Sequence, residues 1–271
     1  MGVFHKYPEM VGLEKRPEIL AVKEVIATEK LHGTNFRVFF PEEMTSLDDV
    51  QFGGRNEFFA RKDYEGFYGG RPVGWFKERP DLLARAWDFF RDRGYTNVIV
   101  YGEIAGAGIQ KGVRYLLEKE ILFRAFDICI GANLVTYDLF VEICEAIGWP
   151  RVPEVWRGEP SLEAFDALLE RQSPEGVRGG VSDPNNLMEG VVIRSNPLLR
   201  NTFGEWLIIK HKSERFAEVN KQKVRHEQRD LTAVEVFART YVTRGRIINT
   251  LGRLRDANTS LMNDISDMQH L

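Results

Sequence analysis

Cysteine is nearly missing from this chain. Its two cysteines, Cys129 and Cys144, both lie in apolar surroundings, FDICIG and FVEICEAIG. That setting excludes a disulfide framework and a thiolate metal site, and suits buried thiols in a reducing compartment. No apolar run approaches the roughly 20 residues that a membrane-spanning helix requires. The opening MGVFHKYPEM carries charges and a proline where a signal peptide would need an uninterrupted apolar core, so a cytoplasmic protein is expected. Positive charge is not in excess either. The formal net charge is -3, so any phosphate-binding surface must be local. Histidine is sparse, at five residues, and no His/Asp cluster has ligand spacing, which argues against metal-dependent hydrolysis. Repeats and low-complexity tracts are also lacking.

What remains is an ordinary globular composition. With 271 residues and 43% hydrophobic content, the chain can bury one large domain, alone or with an appendage. PDLLARAWDFFRDRG spaces Leu82, Leu83, Ala86, Phe89 and Phe90 as a helix does and closes at Gly94. TYDLFVEICEAIG and SLEAFDALLERQ read as amphipathic helices, each with a hydroxyl residue at its N-cap. TNVIVYGEIAG reads as a buried strand ending at Gly102, and ILFRAFDICIG, EGVVIRSN and EWLIIKHKS as further strands. RQSPEGVRGGVSDPNN has the composition of a mobile surface loop. Short strands without regular βαβ alternation predict an α+β fold rather than a doubly wound parallel sheet. Residues 231–254 carry apolar side chains at helical spacing, so a small helical domain over residues 223–271 is expected to follow a larger one over residues 1–222.

Several polar residues sit where a strand does not need them. In EKLHGTNFRVFF, Lys30 stands at the end of an apolar run and before Gly33, with His32 and Asn35 nearby; as structure alone the stretch reads as a hairpin. A free lysine has a pKa of about 10.4, so Lys30 needs neighbouring cations or a desolvated pocket to act as a nucleophile. YGEIAGAGIQKGVRY places Glu103 at the end of an apolar strand before glycines that allow close backbone approach. Phe126 and Asp127 end another strand; an aromatic face at a pocket can stack on a base for about 1–3 kcal/mol. Glu189 precedes a glycine and an apolar strand, and Lys210 and Lys212 project from one face of theirs. Arg55, beside two glycines, can offer a planar fork to a phosphate. Each of these alone has a structural explanation: a strand cap, a core phenylalanine or a solvated charge.

Their order is more specific than any one of them. K-x-H-G, Y-G-E, F-D, E-G-V-V-I-R and K-x-K, in that sequence, resemble the covalent nucleotidyltransferases, the polynucleotide ligases and mRNA capping enzymes, across roughly residues 1 to 220. EKLHGTNF, YGEIAGAGIQKGVRY and EGVVIR are similar in particular to the RNA ligase 2 family, which includes phage double-strand RNA ligases and kinetoplastid RNA-editing ligases. The resemblance implies a nucleotidyltransferase (ATP-grasp-like) domain of antiparallel sheets flanked by helices, with a small all-helical C-terminal domain. It implies ATP and Mg2+ or Mn2+ as cofactors, an RNA partner, duplex or nicked, no membrane, and a monomer. Lys30 would carry AMP. His32, Glu189, Lys210 and Lys212 would join it in catalysis, Glu189 as the metal ligand. Glu29, Leu31, Asn35, Arg55, Glu103 and Phe126 would complete the nucleotide site, Glu103 at the ribose and Phe126 on the adenine.

Two departures bear on this. The wider ligase pattern has an aspartate where this chain has His32, which favours the RNA ligase 2 branch over DNA ligases. The tail after Lys212 shows no alternating strands of an OB-fold, and it is shorter than the helical domain usual in the family, so that domain is either compact or incomplete. Basic residues do cluster late, at Lys210, Lys212, Arg215, Lys221, Lys223, Arg225 and Arg229 and again at Arg244, Arg246, Arg253 and Arg255, interleaved with acids. A capping guanylyltransferase, a DNA ligase and a catalytically idle nucleic-acid-binding protein are the alternatives.

Overall fold

The computed structural model describes residues 5–213 and residue 216. The chain divides into two units, Met1–Ala217 and Glu218–Leu271, and the described residues all belong to the first. The expected helical domain, and the basic residues from Arg215 onward, lie outside them.

The described strands are β1 (Val25–Glu29), β2 (Thr34–Phe40), β3 (Gln51–Gly53), β4 (Val98–Gly106), β5 (Ile121–Ile130), β6 (Asn133–Leu134), β7 (Glu154–Gly158), β8 (Gly190–Ser195) and β9 (Ile208–Lys212). They form two sheets, one ordered β7-β1-β8-β9 and the other β3-β2-β4-β5-β6. Every pairing between these strands is antiparallel, as an α+β fold requires. The α-helices are α1 (Arg71–Lys77), α2 (Pro80–Asp92), α3 (Tyr137–Ile147), α4 (Leu162–Leu169) and α5 (Pro174–Arg178).

Local chemistry explains the helices. In α2 the spacing of Leu83, Ala86 and Phe90 puts one buried stripe against the sheet, and Gly94, at φ +66°, ends the run. Thr136 caps α3 by accepting from the Leu139 amide at 3.3 Å, and Ser161 caps α4 by accepting from the Ala164 amide at 3.0 Å. Helices α1, α2 and α3 bury the face of the five-stranded sheet that carries Phe36, Val38, Phe40, Val100 and Phe123. On the four-stranded sheet, Phe165 and Leu168 of α4 cover Val25, Ala27, Val191, Ile193 and Ile209. The other faces of the two sheets meet across a cleft, where Arg194 of β8 and Asp127 of β5 form a buried ion pair at 3.0 Å.

Three expectations are corrected by this arrangement. EKLHGTNFRVFF is not a hairpin, because both edges of β1 are already taken by β7 and β8. The chain instead crosses from one sheet to the other, and β2 pairs with β4. Gly33 serves that crossing: a Cβ there would lie 2.2 Å from the Ile104 carbonyl oxygen. The strand carrying Glu103 does not stop at Gly102 but continues to Gly106, and Gly102 is where the Phe123 ring crosses it, 2.1 Å from any added Cβ. Glu103, like Phe126 and Asp127, is therefore within a strand rather than at its end. Finally, RQSPEGVRGGVSDPNN is not a loose loop. It contains α5, capped by Ser173, and it buries Ser173, Glu175 and Asn186.

Candidate active site

Antiparallel register sets out the floor of the cleft. The Lys30 amide donates to the Gly190 carbonyl at 2.9 Å, and Gly190 pairs with Lys212, so the two lysines fall in one row across three strands. The next rows are Thr28, Val192 and Lys210, then Ile26, Arg194 and Ile208. Thr28, Lys30, Val192, Arg194 and Ile208 line the cavity. Period-two geometry thus puts Lys30, Lys210 and Lys212 on the cavity face of a sheet whose other face is packed on α4.

The reacting end of this floor is built around Glu189. The carboxylate is 3% exposed. Lys30 Nζ lies 3.0 Å from each of its oxygens, Lys212 Nζ lies 3.0 Å from Oε1, and His32 Nδ1 lies 3.2 Å from Oε2. Burial alone would raise this carboxyl's pKa. The attraction and hydrogen bonds of Lys30 and Lys212 outweigh burial and hold it below its ordinary value.

The opposite wall comes from the five-stranded sheet and the N-terminal segment. Between β4 and β5 the register slips, with Tyr101 opposite Asp127 and Gly102 opposite Ala125. Phe126 is the extra residue of this bulge, and the slip aims its ring into the cavity. Tyr7 packs edge-on to Phe126 at 5.0 Å, and Tyr101 lies parallel behind it at 6.4 Å. The result is an apolar wall in the cavity that Thr28, Val192 and Ile208 also line. Glu103 lies on the same wall nearer Lys30.

Burial pushes the Glu103 carboxyl up to about 7, and the negative charge of Glu189 adds to this, while Lys30, Arg55 and the Gly33 amide oppose it. Burial likewise raises Glu29 to about 7, against the hydrogen bonds it accepts from Ser173 and Glu175. A carboxyl raised in the folded state stabilises the fold fully below its ordinary value of 4.5 and loses that contribution as pH rises through about 7. Glu189, being lowered, acts in the opposite sense and only below 4.5. We therefore expect the thermal midpoint to fall between 4.5 and 7, and the fall to be shallower in Glu103→Gln and in Glu29→Gln. Calorimetry across that range checks it; an unchanged slope in both variants would show that neither group titrates there.

The structure brings together Lys30, Leu31, His32, Glu103, Phe126, Glu189 and Lys212. Lys210 is half-buried on the cavity face of the same row as Val192. Asn35 sits beside Glu103 in register and accepts from Arg37 at 3.3 Å. Arg55 is exposed; its carbonyl accepts from Arg37 at 2.9 Å, and its charge reaches Glu103. The Glu29 side chain points away from the cavity, where Ser173 and the Glu175 amide bind it, and only the rest of the residue lines the pocket. Four residues had escaped the sequence reading. Arg194, two residues after Val192 on the same strand face, was accessible to it; Tyr7, Arg37 and Tyr115 carry no local signal. Among the described residues no group of three or more His, Cys, Asp and Glu is placed to hold a metal ion.

Comparison with known proteins bears on the same residues. The sequence profile of RNA ligase matches residues 23–212, the span that holds both sheets and the whole Lys30–Glu189–Lys212 row. The chain belongs to the RNA ligase family. This family member is 26% identical over 234 residues to the Early 65 kDa protein of Autographa californica nuclear polyhedrosis virus, covering 82% of this chain and 36% of the viral protein. In fold it is similar to Naegleria gruberi RNA ligase solved with pyrophosphate, with a TM-score of 0.57, 19% identity, and coverage of 81% of this chain and 58% of that one. A variant of the Naegleria ligase solved with ATP and manganese gives a TM-score of 0.58 at 19% identity, with 80% and 58% covered. The chain thus spans little more than a third of the viral relative and under three-fifths of the solved ligase.

Proposed function

We propose that this RNA ligase family member is an ATP-dependent ligase that joins RNA 3′-hydroxyl and 5′-phosphate ends, at nicks in duplex, through a lysyl-AMP intermediate. The observation that carries the reading is the Lys30 amine, held 3.0 Å from both oxygens of buried Glu189 at the mouth of a cavity with one aromatic wall. A structural lysine has no need of that position. Family membership, and solved relatives holding ATP, AMP and manganese, support the choice of nucleotide.

In this reading the base enters between Phe126 and the Val192–Ile208 floor, and Glu103 accepts from ribose hydroxyls. Lys30 Nζ attacks the α-phosphorus, a P–N bond forms, the bond to the bridging oxygen breaks, and pyrophosphate leaves. The proton shed by the amine passes to solvent, while Glu189 at 3.0 Å holds the amine in place. Lys210 and Lys212 face the charge that builds on the phosphoryl oxygens. Transfer of AMP to an RNA 5′-phosphate and attack by a 3′-hydroxyl, with release of AMP, are displacements at phosphorus in the same place. A divalent ion fits this site through Glu189 and the phosphates themselves, since Mg2+ commonly takes one or two carboxylates together with substrate oxygens; it would neutralise phosphate charge. The reading also assigns residues 1–222 to the adenylyltransferase domain and 223–271 to a helical domain, in a cytoplasmic monomer. No helix among the described residues is long and apolar enough to cross a membrane.

The test is covalent labelling. Protein incubated with magnesium and α-labelled ATP should carry acid-labile label through denaturation, and then seal a nicked duplex with RNA at the 3′-hydroxyl side. No label, even after pyrophosphate has stripped any AMP already attached, overturns the reading. Label from GTP in preference to ATP would point to a capping enzyme, and sealing confined to all-DNA nicks to a DNA ligase.

A further inference from the structure

The segment between α4 and β8 encloses the backbone around Lys30 on both sides. Glu29, just before Lys30, sends its carboxylate out of the cavity: Oε1 accepts from Ser173 Oγ at 2.5 Å and Oε2 from the Glu175 amide at 2.8 Å. On the far side, the His32 amide donates to the Tyr115 hydroxyl at 2.6 Å. Tyr115 is itself placed through its neighbour, because one side chain, Asn186, binds both backbone groups of Arg114, accepting from its amide at 2.8 Å and donating to its carbonyl at 2.7 Å. The Asn186 carbonyl then accepts from the Ser173 amide at 2.8 Å. The ring of contacts runs Glu29, Ser173, Asn186, Arg114, Tyr115, His32, and Lys30 and Leu31 lie in the span it closes.

The fit is tight. A Cβ on Gly176 would lie 2.5 Å from Asn186 Nδ2 and 2.8 Å from the Arg114 carbonyl oxygen. One on Gly179 would lie 1.8 Å from the Tyr115 carbonyl oxygen. Helix α5 therefore rests on the 114–115 backbone with no room for a methyl group, which accounts for two of the glycines that made this stretch look like a linker. Ser173 and Glu175 are fully buried, and Glu175 also holds Arg124, two residues before Phe126, at 2.5 Å. A surface connector would leave these groups to water.

We propose that residues 172–187 are a positioning clasp for the nucleophile: they fix the backbone of Glu29 to His32 from both ends, so that Ser173, Asn186 and Tyr115 act on adenylylation through the placement of Lys30 and His32 without touching the nucleotide. This rests on the reading of Lys30 as the nucleophile. A displacement near 1 Å at a reacting group can cost on the order of 100-fold in rate, so a loosened clasp should show in chemistry before it shows in binding.

The experiment uses the full chain and four variants, with two readouts. In Asn186→Ala, the rate constant of lysyl-adenylate formation at saturating ATP should fall about 10- to 100-fold, while half-saturating ATP moves less than about threefold. Hydrogen exchange at the His32 amide should quicken at least about tenfold in the same variant. Glu29→Ala should behave likewise. Glu29→Gln, which keeps an oxygen for the Glu175 amide and an amide for Ser173 Oγ, should lose less than Glu29→Ala in both readouts. Should Asn186→Ala not fold, Tyr115→Phe removes the His32 contact alone and carries both readouts. Unchanged rate and exchange in a folded variant, or an effect confined to half-saturating ATP, overturns the clasp. Failure of the wild type to take label overturns the functional reading instead, and the exchange measurement still decides whether the clasp holds residues 29–32.

Discussion

Lys30→Arg should take no covalent label from α-labelled ATP, and yet unfold at nearly the wild-type temperature. The guanidinium keeps the positive charge that Glu189 needs and can bind both of its oxygens, so the buried carboxylate stays paired with a cation in place of the present two contacts at 3.0 Å. What it loses is the free electron pair, since arginine stays protonated in proteins and does not attack phosphorus. Lys30→Ala should lose the label as completely, but with a lowered thermal midpoint, because Glu189 would then rely on Lys212 and His32 alone. Comparing the two separates charge from chemistry. Label retained in the arginine variant would place the nucleophile elsewhere and return Lys30 to a structural role.

Asp127→Ala should cost about 3–5 kcal/mol of stability, the range for stranding one member of a buried ion pair. Asp127 is fully buried, Arg194 is 4% exposed, and the pair joins β5 of one sheet to β8 of the other. The same carboxylate oxygen accepts from Tyr7 at 3.0 Å, so the variant also frees the ring that backs Phe126. Urea midpoints give the stability. A second measurement is the apparent affinity for ATP, which should weaken as Tyr7 and Phe126 lose their support. Replacing both partners, in Asp127→Leu with Arg194→Met, should recover much of the lost stability, because no buried charge is then left alone. A loss under about 1 kcal/mol in Asp127→Ala would mean that the sheets are held together by their apolar contacts and that the pair is incidental.

How far the sequence foretold this arrangement depended on the range of the interaction involved. Lys210 and Lys212 were placed on one face by period-two spacing alone, and the Thr136 and Ser161 caps by residue type, because strand alternation and helix capping are decided within a few positions. The hairpin failed because partner choice is not local. Residues 25–40 have two β-prone runs and a glycine, and nothing in them reveals that β1 is enclosed by β7 and β8, strands more than a hundred residues away. The linker failed for the same reason: what buries Ser173 is Glu29, 144 positions earlier. The ordered motifs of the ligase family did place Lys30, Glu103, Phe126, Glu189 and Lys212 around one cavity, where chain periodicity had no means to do so. They did not reveal that Glu29 turns its carboxylate outward, nor that Arg55 stands exposed at the rim.

The bulge that carries Phe126 has a consequence for how this cleft tolerates change. Substitutions in β5 alter one side chain each, whereas deletion of Ala125 would let β4 and β5 run in unbroken register with Phe126 opposite Gly102. The five-stranded sheet would still assemble, but the aromatic ring would turn to its opposite side and the cleft would lose its apolar wall. Counting residues, more than choosing them, keeps that wall in place, so a single-codon deletion there is more damaging to the site than most replacements.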